Sequence, residues 1–179
     1  PEKAKNPILA IISLVTSLNN TPLDEGTELF EPSTISITNV DTHNKVTNVI
    51  PINCELSLNI RFNTLHSGES LVHWIKKMAR KESKRSGVNF LVKSRLSGEP
   101  FFTDEKVFTK IVSSAIKKKT GIRPNLSTSG GTSDARFIKD ICPVIEFGLV
   151  GNSMHQVNEC VDIKDIYKLS EIYEKILSD

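Results

Sequence analysis

Cysteine is scarce in this chain: Cys54, Cys142 and Cys160 are the whole complement. An odd number without paired spacing argues against a disulfide framework, and no pair has zinc-finger spacing. That usage fits a reducing compartment, so the expected location is the cytoplasm. A dominant sign of charge is also missing. The 23 Lys and Arg against 21 Asp and Glu leave a net charge of +2, which gives no strong electrostatic case for nucleic acid. The basic runs Lys76 to Lys84 and Lys117 to Lys119 read as solvated helix faces. No apolar run reaches membrane-spanning length, so neither a nucleic acid nor a membrane partner is expected. Residues 7 to 18 are apolar, but neither a basic region nor a small-residue cleavage site frames them as a signal peptide. There is no GxSxG motif, no cysteine with a paired histidine, no internal repeat and no low-complexity segment. The chain opens on Pro1 and enters helix-like sequence at once, which suggests a piece of a longer polypeptide.

What is present is an ordinary globular composition, 38% hydrophobic and 25% charged over 179 residues, enough for one domain or two small ones. Pro7 suits a helix start, and Ile8, Ile11, Ile12, Val15 and Leu18 repeat at helical spacing. Ile35 and Ile37 alternate with polar residues as a short strand. The clearest strand is residues 54 to 62. Cys54, Leu56, Leu58, Ile60 and Phe62 face one way, while Glu55, Ser57, Asn59 and Arg61 face the other. Ser67 starts a second helix with an apolar stripe of Leu71, Trp74, Ile75 and Met78, and Gly87 stops it. Val88, Phe90 and Val92 alternate as a further strand.

Residues 1 to 95 therefore read helix, strand, strand, helix, strand, one strand short of a βαββαβ unit with two helices on one face of an antiparallel sheet. The sequence LSGEP at 96 to 100 marks a domain boundary. Beyond it Thr103 is the expected cap of a helix carrying Val107, Phe108, Ile111, Val112, Ala115 and Ile116. A last helix follows Asp162, with Ile166, Leu169, Ile172, Tyr173, Ile176 and Leu177 on its apolar stripe. Helices alternating with short apolar strands give an α/β class: an antiparallel α+β domain over 1–95 and part of an α/β layered domain over 96–179.

The densest chemistry lies in residues 127 to 160. Small residues from Ser127 to Gly131 let a backbone approach a ligand closely, and Thr132, Ser133, Asp134 and Arg136 follow. A short apolar strand, Pro143 to Phe147, leads into a glycine-containing loop that ends at His155, with Glu159 four residues on. A histidine in such a loop can present a ring nitrogen to a metal. On residue types alone, an ordinary strand–turn–helix connection with a surface histidine explains the stretch equally well. His43, His66 and His73 have no carboxylate or Cys at ligand spacing and read as surface residues.

The segments TSGGTSDARFI and VIEFGLVGNSMHQVNECV, preceded in order by FEPSTISITNV, TNVIP, LNIRFNT and LSGEPFFT, resemble the C-terminal part of the succinyl-diaminopimelate desuccinylase family. These are two-zinc amidohydrolases of the superfamily that includes acetylornithine deacetylase. The resemblance covers nearly the whole chain but not the family's N-terminal half. It implies that 1–95 is a lid and dimerisation domain lacking its first strand, and that 96–179 is the C-terminal segment of the zinc-dependent catalytic domain. It implies a dicarboxylate substrate, N-succinyl-LL-2,6-diaminopimelate, and two zinc ions per complete subunit, with cobalt an alternative.

The same resemblance assigns His155 as a zinc ligand and Glu159 as an acceptor for the other ring nitrogen, if that stretch is helical. It assigns Asn48, Arg61, Gly131 and Thr132 to substrate binding; Arg136 either joins them or braces the loop through Asp134. No general base is carried over, because that glutamate and the other zinc ligands belong to the missing half, so the fragment is expected to be inactive alone. Three positions depart from the family pattern: Ala135 stands where Gly is usual, Gly151 where Asn is common, and Glu2 replaces a His. The rival readings are an acetylornithine deacetylase-like or dipeptidase enzyme of the same superfamily, and a non-catalytic dimerisation module.

Overall fold

The computed structural model describes residues 4–103, 106–128 and 133–178. The chain is mixed α/β, as expected, and divides into two compact units, Pro1–Pro100 and Phe101–Asp179.

In the first unit α1 spans Pro7–Asn19. The Asn6 side chain accepts from Ile8 N at 3.0 Å and Pro7 occupies the first turn, so one orphan donor is satisfied and another is absent. Ala10, Ile11, Leu14 and Leu18 fall on one side and are buried, so the buried face is rotated from the expected stripe: Ile8 and Val15 are half-buried and Ile12 is exposed. Strand β1 (Thr34–Asp41) pairs antiparallel with β2 (Glu55–Arg61), and the ladder runs from Thr34↔Arg61 to Asp41↔Glu55. Its register slips between Ile37 and Asn39. In β2 the even-numbered apolar side chains are half-buried and Glu55, Ser57, Asn59 and Arg61 are exposed, which is the period-two pattern read from the sequence.

Helix α2 (Gly68–Ser86) opens on a reciprocal box between Ser67 and Ser70 and closes at Gly87, whose φ of 69° is left-handed. It packs against α1. Within that contact Glu82 is only 6% exposed. It accepts from Ser13 Oγ of α1 at 3.0 Å and is gripped by Arg85 through two bonds of 3.0 and 2.8 Å. Arg85 is the largest influence holding the Glu82 carboxyl below its ordinary range, opposed by burial and assisted by Ser13.

The strand expected at Val88–Val92 does not form. Val88, Phe90 and Val92 are still half-buried while Leu91 is 84% exposed, so the alternation is real. What is missing is a partner: among the described residues the sheet holds β1 and β2 only. Alternation sets which face is apolar, whereas a strand also needs a neighbour for its N–H and C=O groups.

The second unit contains α3 (Lys106–Thr120), the single turn α4 (Ala135–Ile138) and α5 (Ile163–Ser178). Val112, Ala115 and Ile116 of α3 form a core with Ile172 of α5, and Phe108, Ile145, Phe147 and Ile176 pack around it. Gly121 ends α3 at φ 75°, and Asp162 Oδ1 accepts from Lys164 N at 2.9 Å at the start of α5. Much of the apolar stripe expected of α5 faces outward: Ile166, Tyr173 and Leu177 are exposed.

The expected strand at Pro143–Phe147 is a second correction. Two of its carbonyls, Val144 O and Phe147 O, are taken by side chains rather than by a ladder. Thr103 Oγ1, expected as the α3 cap, donates to Val144 O at 2.6 Å, and Tyr173 OH donates to Phe147 O at 2.6 Å. The Phe147 and Tyr173 rings lie 6.1 Å apart and tilted, which places this segment over α5.

Candidate functional site

The candidate residues fall into two groups, one in each unit. In the second unit, His155 projects from a chain of turns over residues 151 to 160 rather than from a helix. Ser153 closes that loop: its hydroxyl accepts from Cys160 N and donates to Cys160 O, both at 2.9 Å. Met154 N and Gln156 N bond back to Gly151 O and Ser153 O. Inside the clip His155 and Asn158 adopt left-handed φ values of 61° and 62°. This geometry corrects the Glu159 expectation. The Glu159 carboxylate accepts from the main-chain N–H of His155 at 3.2 Å instead of from the ring. It therefore steadies the backbone that presents the imidazole, which is exposed.

Arg136 lies on α4. Its guanidinium carbon sits 4.7 Å from the centroid of the Phe137 ring. Its Nε is buried with no hydrogen-bond partner among the described residues. No ion pair joins it to Asp134 among those residues, so the bracing role is not seen. The hydroxyl of Ser133, not the carboxylate of Asp134, accepts from Ala135 N at 3.0 Å. Gly131 and Thr132 lie outside the described residues. Ala135 is buried and not among the left-handed positions, so an alanine fits there without strain. At Gly151 an added Cβ would meet Met154 Cε at 2.6 Å. A larger residue at that point requires the flexible Met154 tip to move.

In the first unit Asn48 is exposed on a turn. Asn44 holds that turn: its Nδ2 donates to Val46 O at 3.1 Å and to Val49 O at 2.9 Å, and its Oδ1 accepts from Val46 N at 3.0 Å. Arg61 is the last residue of β2, on the exposed face, opposite Thr34. No ion pair occupies its guanidinium among the described residues, which leaves it open to an incoming carboxylate.

Two features escaped the sequence reading. His66 is not a free surface residue: its Nε2 lies 3.1 Å from Asp24 Oδ2, and its side chain is 21% exposed. Asp24 in turn collects bonds from Gly26, Ser33 and Asn63. Spacing could not reveal a pair 42 residues apart in sequence. A local signal did exist, since an Asp two residues before a Gly forms a turn that accepts from its own backbone, here Gly26 N at 2.7 Å with φ 81°. His43 and Asp41 also meet, at 3.1 Å, but His43 is exposed and Asp41 only half-buried. At Cys54, burial first, and then Asp41, push the thiol up, which disfavours the thiolate.

Among the described residues there is no group of three or more His, Cys, Asp and Glu side chains that could hold a metal ion. One exposed imidazole on a clipped loop suits a single position of a metal site and does not complete one. No helix among the described residues is long and apolar enough to cross a membrane.

A sequence model of the peptidase family M20/M25/M40 matches residues 8–179. The chain is 51% identical over 179 residues to the succinyl-diaminopimelate desuccinylase of Roseobacter denitrificans, covering 100% of this chain and 47% of that protein. It is 49% identical to the protein of the same name from Ruegeria pomeroyi, again over 100% of this chain and 47% of the other. The Paracoccus denitrificans protein of that name is 48% identical over 177 residues, which is 99% of this chain and 46% of the relative. The chain thus spans about half the length of the curated relatives it matches. In fold it is similar to the crystal structure of aminopeptidase PepT from Bacillus cereus ATCC 10987, with a TM-score of 0.70 at 20% identity, covering 92% of this chain and 44% of that one.

Proposed function

The chain belongs to peptidase family M20/M25/M40, and from that premise we propose that it is the C-terminal part of a metal-dependent amidohydrolase acting on N-succinyl-LL-2,6-diaminopimelate. The observation that carries this reading is collinear identity of 51% along all 179 residues with a succinyl-diaminopimelate desuccinylase. The reaction adds water across the succinyl amide and yields succinate and LL-2,6-diaminopimelate, a step toward lysine and cell-wall precursors. The enzyme works in the cytoplasm as a homodimer joined through residues 1–95, with 96–179 completing the catalytic domain.

In this reading the substrate carries several carboxylates, the groups that a guanidinium suits. Arg61 takes one carboxylate through a two-pronged contact, which a planar guanidinium supplies and a lysine does not. Asn48, on the turn held by Asn44, donates its amide to the substrate. Arg136, with Gly131 and Thr132, receives a second polar group. The Arg136 Nε, without a partner among the described residues, supports this, because a buried donor left without an acceptor is costly and an arriving oxygen relieves it.

His155 offers one imidazole nitrogen to the metal, steadied by the Glu159 bond to its backbone. When bound, a zinc or cobalt pair supplies a water of lowered pKa and polarises the amide carbonyl. The remaining metal ligands and the general base come from outside this chain. Removing metal from the full-length protein with a chelator is expected to abolish succinate release, and adding zinc or cobalt to restore it. Turnover that survives complete metal removal contradicts the proposal.

A further inference from the structure

Asp24 sits in the loop between α1 and β1, with its side chain only 7% exposed. Its Oδ1 accepts from Gly26 N and from Asn63 Nδ2, both at 2.7 Å. Ser33 N is shared between the two oxygens at 3.2 and 3.3 Å. His66 Nε2 reaches Oδ2 at 3.1 Å. Burial pushes the carboxyl pKa up, but the bonds from Ser33, Asn63 and Gly26 outweigh it and hold the group well below the usual carboxylate range. An ionised carboxylate only accepts, so the His66 contact requires a proton on Nε2.

The donors are not scattered. Ser33 directly precedes β1, whose first residue, Thr34, pairs with Arg61. Asn63 follows Arg61 by two positions, and His66 by five. Asn63 is itself buried and tied a second time, with its N donating to Ser33 Oγ at 3.1 Å and its Nδ2 to Glu31 O at 3.0 Å. The carboxylate of Asp24 therefore grips the chain on both sides of the terminal Thr34↔Arg61 rung. That is where the two-stranded ladder stops, and ladder ends otherwise fray. A bidentate contact to a carboxylate tolerates little error in direction.

We propose that Asp24 is the positioning residue for Arg61. By clamping Ser33, Asn63 and His66 it fixes the end of β2 and so the approach of the guanidinium to a substrate carboxylate. Asp24 touches no substrate itself. The inference rests on the reading in which Arg61 binds the succinyl substrate.

The test is steady-state kinetics of the full-length enzyme on the N-succinyl substrate, for Asp24→Asn, His66→Ala and His66→Gln, each alone and combined with Arg61→Ala. Asp24→Asn and His66→Ala are expected to raise KM about threefold to tenfold with kcat within about twofold. His66→Gln places an amide donor where Nε2 stood and is expected to keep the KM. In the Arg61→Ala background the same substitutions are expected to change KM by less than about twofold, because coupled residues do not add.

Additive effects in that background, with Arg61→Ala itself raising KM, overturn the positioning role and leave the substrate reading standing. An Arg61→Ala enzyme with unchanged KM overturns both. A change in melting temperature with no change in KM shows a merely structural clamp and also overturns the proposal. If Asp24→Asn does not fold, the contrast between His66→Ala and His66→Gln decides alone: equal KM values overturn the proposal.

Discussion

Glu159 Oε2 stands 3.2 Å from the main-chain N–H of His155 and leaves the imidazole ring unbraced by that carboxylate. The pair works through the backbone. At φ 61° the His155 main chain is in a region that costs an ordinary residue on the order of 1 kcal/mol. The Glu159 bond and the Ser153 clip hold it there.

A Glu159→Gln enzyme keeps a carbonyl acceptor for the His155 N–H and is expected to retain kcat/KM within about threefold, whereas Glu159→Ala is expected to lose about tenfold, one hydrogen bond to a charged group being worth about 1.5–3 kcal/mol. Kinetics of the two full-length variants check this. Equal losses would mean that charge, rather than the backbone contact, matters.

Replacing Arg61 by Ala is expected to lower kcat/KM for the succinyl substrate about 10- to 100-fold, and Arg61→Lys is expected to recover little of it, because an ammonium cannot reproduce two parallel bonds to a carboxylate. Full recovery by lysine would reduce the role of Arg61 to that of a point charge.

Acid should loosen the first unit around Asp24. Its folded carboxyl lies below the unfolded value, so the group contributes stability that is fully present above the unfolded pKa, near 4, and is lost as pH falls through the folded one. Glu82, lowered mainly by Arg85, has the same sign. Amide exchange at Gly26 and Ser33 is expected to show protection that is constant above about pH 5 and falls below about pH 4. Protection that rises on acidification would contradict this sign.

Glu82→Ala removes the acceptor shared by Ser13 of α1 and Arg85 of α2. It is expected to destabilise the protein by about 2 kcal/mol, most of it from the half-buried Ser13 contact because the Arg85 side chain is largely solvated. Denaturant unfolding with a Glu82→Gln control measures it, and a loss below about 0.5 kcal/mol would show an ordinary surface pair.

Elements whose residues repeat at a local period were legible in the sequence. Ile11 and Leu18 on α1, the alternation along Glu55–Arg61, and the stop at Gly87 all depend on neighbours within a few positions. Val88–Val92 and Pro143–Phe147 kept their apolar faces but not their ladders, because a strand's partner is set by distant chain. The same limit hid Asp24 and His66, which meet across 42 residues. At the candidate site, the spacing from His155 to Glu159 suggested one helical turn, but two left-handed residues, His155 and Asn158, redirect the carboxylate to the backbone. No local pattern singles out Asn44 or Ser153, although each fastens the turn that presents a candidate side chain.

The substrate assignment is decided by the ratio of kcat/KM for N-succinyl-LL-2,6-diaminopimelate over an N-acetyl amino acid substrate, with the full-length, metal-loaded protein. Strong preference for the succinyl compound is expected, on the order of 100-fold or more, because a guanidinium that pairs with the terminal carboxylate discriminates against a substrate lacking it. Equal turnover of both, or preference for the acetyl compound, would contradict it.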